Sequence, residues 1–305
     1  MWERLLSGHS SSQVNFIDIV REGVKIDCFS KPFKGNFKGR SYDAPRPPSI
    51  RLSNSKICEG FRDFISETLL DWEAARVLDV WGGVGEVTPP HLVLSLTVEP
   101  SKPRLCHDER YLILWIRDLP LRLDHLPDLP RYGLPVHFQT SFDDRSGYQH
   151  VLLHSSSLTY FGLEWNDVYF VFRTLPFGCK ASAFIYHNLS LFVTGAARSL
   201  AVPVSQYIDD RHVGQLFRSP ARASLVPSKV LAEAVAYTMC YLLIEAGYFI
   251  GIAKSQWVAS TIVRFPGFLC DSSRQTFLLP DDKKLKFSSL REQMLASRNI
   301  GLKVL

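Results

Sequence analysis

Apolar and polar positions alternate in two short runs, 204–208 and 212–216, as they do along strands. A short polar step joins them, which predicts a β-hairpin with Asp209 and Asp210 at its tip. A second hairpin is predicted from 160–165 and 168–172, with Asn166-Asp167 as its two-residue turn. Helical periodicity begins after Gly60, where Phe61, Phe64, Ile65, Thr68, Leu69 and Trp72 share one face. Another helix is predicted over 181–199 and is stopped by Pro203. A third spans 228–246: Val230, Leu231, Val235, Met239, Leu242 and Leu243 make it broadly apolar, and Gly247 fits its C-terminal cap.

Further strands are expected at 92–98, at 137–142 leading into Asp143, at 249–252 and within 257–269. Trp81-Gly82-Gly83-Val84-Gly85 lacks the spacing of a phosphate loop, and Thr88-Pro89-Pro90 stands where a helix would start, so a turn is expected there. Residues 21–57 are rich in Lys, Arg, Pro, Ser and Gly. Their basic and aromatic residues interleave from Lys31 to Arg40, which suits either a nucleic-acid backbone with stacked bases or a flexible, solvated lead-in. Residues 271–305 are basic and polar.

Composition narrows the class. The chain has 305 residues, enough for one large core or two modest domains. Its 46% hydrophobic and 21% charged residues are those of an ordinary globular protein. A net charge of +5 is compatible with a polyanionic partner but does not demand one. No run approaches the roughly 18 apolar residues of a membrane span, and Met1-Trp2-Glu3-Arg4 lacks a secretion pattern. The six cysteines are scattered without a Cys-x-x-Cys pair, which argues against a zinc module and a disulfide framework and for a reducing, intracellular compartment, cytoplasm or nucleus.

The chemistry lies in carboxylates. Asp209 and Asp210 at a hairpin tip repel each other, which suits a solvated turn or a site for hard divalent cations. A further pair, Asp143-Asp144, follows the strand at 137–142. If the two strands lie side by side, Asp143 and Asp209 face one point. Such a cluster can hold two Mg²⁺ ions about 3.5–4 Å apart, and phosphoryl transfer then needs mostly positioning and charge stabilisation.

Six short motifs run in order through about residues 90 to 275. They are Lys102-Pro103-Arg104 with Asp108 and Arg110; Phe142-Asp143-Asp144-Arg145-Ser146-Gly147-Tyr148; Leu175-Pro176-Phe177-Gly178-Cys179-Lys180-Ala181-Ser182; Tyr207-Ile208-Asp209-Asp210; Ala253-Lys254-Ser255; and Phe265-Pro266-Gly267-Phe268. Their order and spacing resemble the reverse transcriptases of retroelements, and their wording is most similar to the DIRS type, which integrates through a tyrosine recombinase.

The resemblance implies an α+β right-hand polymerase fold with palm and fingers and a truncated thumb. A basic lead-in would occupy 1–60, fingers and palm 61–275, and the start of a thumb or connection 276–305. The implied activity is RNA-directed DNA synthesis, with two Mg²⁺ ions as cofactors and Mn²⁺ able to substitute. Asp143 and Asp209 would bind both ions, Asp210 would support them, and Asp144 would add its backbone carbonyl, its side chain remaining solvated. Lys102 and Arg104 would hold the triphosphate; Gly147, Tyr148 and Phe177 would border the nucleotide, with Tyr148 excluding a 2′-hydroxyl. Lys254 would approach the pyrophosphate, and Gly178, Lys180, Phe265 and Gly267 would meet template or primer. Arg110 is expected to pair with Asp108. Lys102, Asp144, Tyr148, Phe177 and Lys254 also have a plain structural or solvated reading.

Ile113 departs from the Asn that many members carry, which puts one fingers contact in doubt. The expected partners are an RNA or DNA template with primer, a deoxynucleoside triphosphate and other segments of a retroelement polyprotein, with no membrane. The chain is expected to be a fragment of such a polyprotein or a decayed copy. The rival reading is a catalytically incompetent remnant that only binds nucleic acid.

Overall fold

In the computed structural model, which describes residues 1–6, 15–216 and 227–296, helices and strands divide into two units. The first takes in the described residues of Met1–Arg122, Ser146–Val193 and Ala246–Tyr248. The second takes in those of Leu123–Arg145, Thr194–Glu245 and the stretch from Phe249 onward. In chain order the elements begin with α1 (Trp2–Leu6), α2 (Phe16–Glu22), β1 (Phe33–Phe37), β2 (Arg40–Ala44), β3 (Ile50–Arg51) and α3 (Arg62–Ala74). There follow β4 (Leu78–Gly83), β5 (Leu92–Val93), β6 (Leu96–Glu99), β7 (Arg104–His107), α4 (Arg110–Ile113) and β8 (Gln139–Asp143). Next come β9 (Gly162–Trp165), β10 (Val168–Phe172), α5 (Lys180–Ser199), β11 (Val204–Tyr207), β12 (Asp210–Val213) and α6 (Ser228–Glu245). The last are β13 (Gln256–Ser260), β14 (Ile262–Phe265), β15 (Phe268–Asp271), β16 (Thr276–Leu278) and α7 (Asp281–Ala296). Among the described residues no helix is long and apolar enough to cross a membrane.

The first unit is built on a five-stranded sheet in the order β3-β5-β9-β10-β4. Its β9–β10 hairpin turns at Asn166-Asp167, both with positive φ, as expected from the sequence. Trp81-Gly82-Gly83 is not a turn: it belongs to β4, which pairs with β10 through a register shift, and the chain turns only after Gly83. The run at 92–98 divides into β5 and β6.

Residues 33–44 form the β1–β2 hairpin rather than a flexible lead-in. Phe33 packs edge-on against Trp115 at 5.0 Å, and Phe37 and Tyr42 pack against Tyr111. Period two accounts for the interleaved pattern: the aromatics turn inward and Lys34 turns out toward Asp43. Trp115 is fully buried, and its indole N–H donates to the Ala44 carbonyl at 3.1 Å.

The second unit holds a four-stranded sheet in the order β11-β12-β8-β13. Helix α6 lies against β8, β12 and β13 and buries Val235, Met239, Leu242 and Leu243. A smaller sheet, β14-β15-β16, encloses Leu129, Val263, Phe265 and Cys270. No strand forms at 249–252, where the chain makes only a bridge from Ile250 to Asp144. Residues 276–296, expected to begin a thumb, form β16 and α7; 297–305 lie outside the described residues.

Trp115→Ala should remove about 3–5 kcal/mol of stability, because it empties the centre of the aromatic cluster. Urea unfolding reads this as a lower midpoint at unchanged slope, and an unaltered midpoint would show that the β1–β2 hairpin is not held by this packing.

Candidate active site

The antiparallel register of β8 and β12 sets Asp143 directly opposite Asp210. The β11–β12 hairpin closes at Tyr207 and Asp210, so its two-residue turn is Ile208-Asp209, one position earlier than the sequence pattern suggests. Asp209 therefore occupies the turn and Asp210 opens β12. Residues on facing strands share a face with their partners, and successive residues alternate. Asp143 and Asp210 thus lie on one side of the sheet, and Asp144 and Arg211 on the other.

Ile208 has φ +54°, a left-handed conformation that β-branched residues rarely adopt. Strain of this kind costs about 1–3 kcal/mol and persists only where neighbours impose it. Two hydrogen bonds hold the turn. The Gln206 side-chain amide donates to the Ile208 carbonyl at 3.1 Å, and the Asp144 backbone N–H donates to the Asp209 carbonyl at 2.9 Å.

Asp143 is fastened from the 249–255 segment. The Gly251 N–H donates to the Asp143 carbonyl at 2.7 Å, and the Asp143 N–H donates to Ser255 Oγ at 3.1 Å. A Cβ at position 251 would lie 2.7 Å from Asp143 Oδ2 and 3.1 Å from its carbonyl oxygen, so a larger residue there would push the carboxylate aside. Lys254 Nζ stands 3.3 Å from Asp143 Oδ2 while three-quarters exposed. Asp143, Asp210, Lys254, Arg264 and the Pro266-Gly267 turn line one cleft of about 340 Å³.

The carboxylates disturb one another. Burial pushes the Asp210 carboxyl up to about 6; the Asp209 and Asp143 charges push the same way and Lys254 opposes them. Burial also raises Asp209, with Asp143 and Asp144 adding to it against a backbone hydrogen bond and Lys254. Asp144 differs: its side chain is fully buried in an ion pair with the fully buried Arg211, so it is not solvated as expected.

Among the described residues, no three His, Cys, Asp or Glu side chains are already gathered as a closed metal-ligand set. What Asp143 and Asp210 present is an open pair of hard oxygen donors with excess negative charge. That suits an ion such as Mg²⁺, which takes one or two carboxylates and fills its shell with water and phosphate oxygens.

Most of the remaining expected site residues belong to the first unit. Lys102 and Arg104 are exposed, Lys102 in the turn between β6 and β7 and Arg104 at the start of β7. Tyr148 is half-buried between Phe177, at 4.8 Å, and Tyr186, at 5.6 Å. Gly147 packs on the Tyr186 ring, where a Cβ would come within 3.0 Å. Phe177 is 49% exposed and so is not a core residue. Gly178 has φ +107°, and a Cβ there would lie 2.7 Å from the His107 carbonyl. Lys180 opens α5 in an ion pair with Asp118. Asp108 and Arg110 form the expected two-pronged pair, at 2.8 and 2.6 Å.

In the second unit Phe265 is buried against the His212 ring at 5.6 Å, so its side chain is not open to a primer, whereas the adjoining Pro266-Gly267 turn is half-buried. Sequence reasoning missed Gln206, Arg211 and Gly251. Gly251, three residues before Lys254, was the one signal open to it.

The fold is α+β and reverse-transcriptase-like, of the palm-and-fingers kind. The likeness is to solved structures of the foamy viral protease–reverse transcriptase. One, in complex with an RNA/DNA hybrid, matches with a TM-score of 0.58 at 17% identity over 80% of this chain and 30% of that one. A second, the dRH form with double-stranded DNA, matches with a TM-score of 0.58 at 16% identity over 91% and 44%. A third, also with double-stranded DNA, matches with a TM-score of 0.56 at 17% identity over 88% and 50%. The chain thus spans half or less of each of these proteins. No family model matches the sequence, and no curated protein does.

A carboxyl held above its unfolded value contributes stability at low pH and loses it as pH rises through the folded value, here about 6. Without divalent cations, Asp210→Asn should therefore stabilise the protein at pH 7.5 by about 1–2 kcal/mol, after allowance for partial exposure. The gain should vanish below about pH 4, where both side chains are neutral. A pH series of thermal melts checks this; a destabilised variant at pH 7.5 would contradict it.

Proposed function

We propose that this chain is an RNA-directed DNA polymerase, joining a deoxynucleoside triphosphate to a primer 3′-hydroxyl on an RNA or DNA template. The observation that carries the reading is Asp143 opposite Asp210, with Asp209 in the adjoining turn, within a reverse-transcriptase-like fold. The motif wording further supports a retroelement of the DIRS type, whose polyprotein would supply additional segments. Six free cysteines are consistent with a reducing intracellular compartment, cytoplasm or nucleus.

Asp143, Asp209 and Asp210 would hold two Mg²⁺ ions, or Mn²⁺ in their place, with the Asp144 backbone carbonyl beside them. When bound, such ions lower the proton affinity of the attacking hydroxyl and neutralise the leaving pyrophosphate. Lys254 balances Asp143 before substrate arrives, and its exposed ammonium is the group to donate a proton to pyrophosphate. Lys102 and Arg104, both exposed, would grip the triphosphate, Arg104 as a fork and Lys102 as a point charge. Tyr148, braced by Phe177 and Tyr186, would lie under the sugar and clash with a 2′-hydroxyl. Gly178 and Lys180 would border the template, and the turn at Gly267 the primer.

Asp209→Asn should lower primer extension by at least about 10²–10³-fold, since it removes charge stabilisation of the transition state. Affinity for a primer–template duplex should stay within about threefold, because phosphate contacts carry binding. Tyr148→Ala should raise ribonucleotide use relative to deoxynucleotide use by about tenfold or more. Gel-based extension on RNA and DNA templates, with a parallel binding assay, reads all three. Salt-dependent binding without any extension by the unaltered protein would select the nucleic-acid-binding remnant instead.

A further inference from the structure

We propose that Arg211 is a positioning residue for the carboxylates, acting through Asp144 as a clamp on the strained Ile208-Asp209 turn. The inference rests on the polymerase reading of that site. Arg211 stands opposite Phe142 on β8, and Asp144 is two residues beyond Phe142. The pair is therefore a diagonal one on a single face of the sheet, within reach of a long side chain. Both side chains are wholly buried, and Arg211 Nη1 donates to Asp144 Oδ1. Helix α6 lies against β8 and β12, and Cys240 is among the residues it buries.

Asp144 also acts at the turn itself, because its backbone N–H donates to the Asp209 carbonyl. The Arg145 N–H, one residue on, donates to the Phe249 carbonyl at 2.8 Å. Asp144 is thus held by side chain from Arg211 and by backbone on both sides. Arg211 directly follows Asp210, and Asp144 directly follows Asp143. One buried ion pair therefore ties together the two strand ends that carry the facing carboxylates. A turn that takes a β-branched residue through positive φ needs such fastening, and Gln206 supplies the other half of it.

The deciding variant is the double replacement Arg211→Met with Asp144→Leu. It preserves net charge and approximate volume, so electrostatic effects on the carboxylates largely cancel. Replacing a buried ion pair by apolar residues is often neutral in stability. A clamp predicts a melting temperature within a few degrees of the parent protein and amide exchange at position 144 at least about tenfold faster. It also predicts Mn²⁺ binding weaker by about 10–100-fold, read by paramagnetic resonance, and a similar fall in kcat with the nucleotide KM within about threefold.

Unchanged exchange and unchanged Mn²⁺ binding would overturn the clamp and leave the pair as core filling. Should the double variant fail to fold, Arg211→Lys serves: it keeps the charge but loses the fork, and should raise exchange at position 144 by several-fold. Exchange as slow as in the parent would again overturn the proposal. If the parent protein neither takes up Mn²⁺ nor extends a primer, the polymerase reading fails, while exchange at position 144 still decides whether the pair fastens the turn.

Discussion

The register between β8 and β12 is the constraint on which the candidate site depends. It places Asp143 against Asp210 and leaves Asp144 and Arg211 for the opposite face. A slip of one residue would exchange the faces along a whole strand. Carboxylates that now line a cleft would enter the interior without partners, and half of the buried ion pair would be stranded. Uncompensated buried charge is among the most unfavourable outcomes a fold can meet. The charges that would perform the proposed chemistry therefore also oppose a one-residue slip of register.

That arrangement is intrinsically tense. Burial and mutual repulsion raise Asp209 and Asp210 above the ordinary carboxylate range, and Ile208 is held in a conformation it disfavours. Lys254 relieves part of the repulsion from outside, whereas Gln206 and Asp144 hold the turn from within. The apolar contacts of α6 against three strands of the same sheet supply the rigid support. Local strain on a well-packed base is the usual condition of a site preorganised for charge.

Much of this was legible in the chain. Local rules sufficed for the β9–β10 hairpin, where Asn166-Asp167 accepts two positive φ angles, and for α5 and α6, long apolar runs that end before Pro203 and Gly247. They failed where distant residues decide the outcome. Phe33 and Phe37 read either as base-stacking residues or as part of a solvated lead-in, because their partners, Trp115 and Tyr111, lie some seventy to eighty residues away. Trp81-Gly82-Gly83 read as a turn because glycines break strands, yet pairing with β10 overrides that preference. Phe265 was expected to meet a primer because its motif resembles a primer-gripping turn, whereas the small sheet buries the side chain. The hairpin tip was displaced by one position because polarity favours Asp over Ile in a turn, while the register is set across β8.

Arg211 shows most clearly what local reading cannot see. An arginine after two aspartates looks like a surface charge, since arginine is almost never fully buried without a partner. Its partner lies within a different motif, sixty-seven residues upstream, and the two meet only once the strands have paired. Such a contact leaves no trace in periodicity or spacing. For the same reason the fold can match viral reverse transcriptases at 16–17% identity while no family model matches the sequence. A fold is specified by patterning and volume, which many sequences satisfy. Function is specified by a few groups in one geometry. In the proposed reading those groups are the facing carboxylates, and the means of holding them need be shared with no other chain that has this fold.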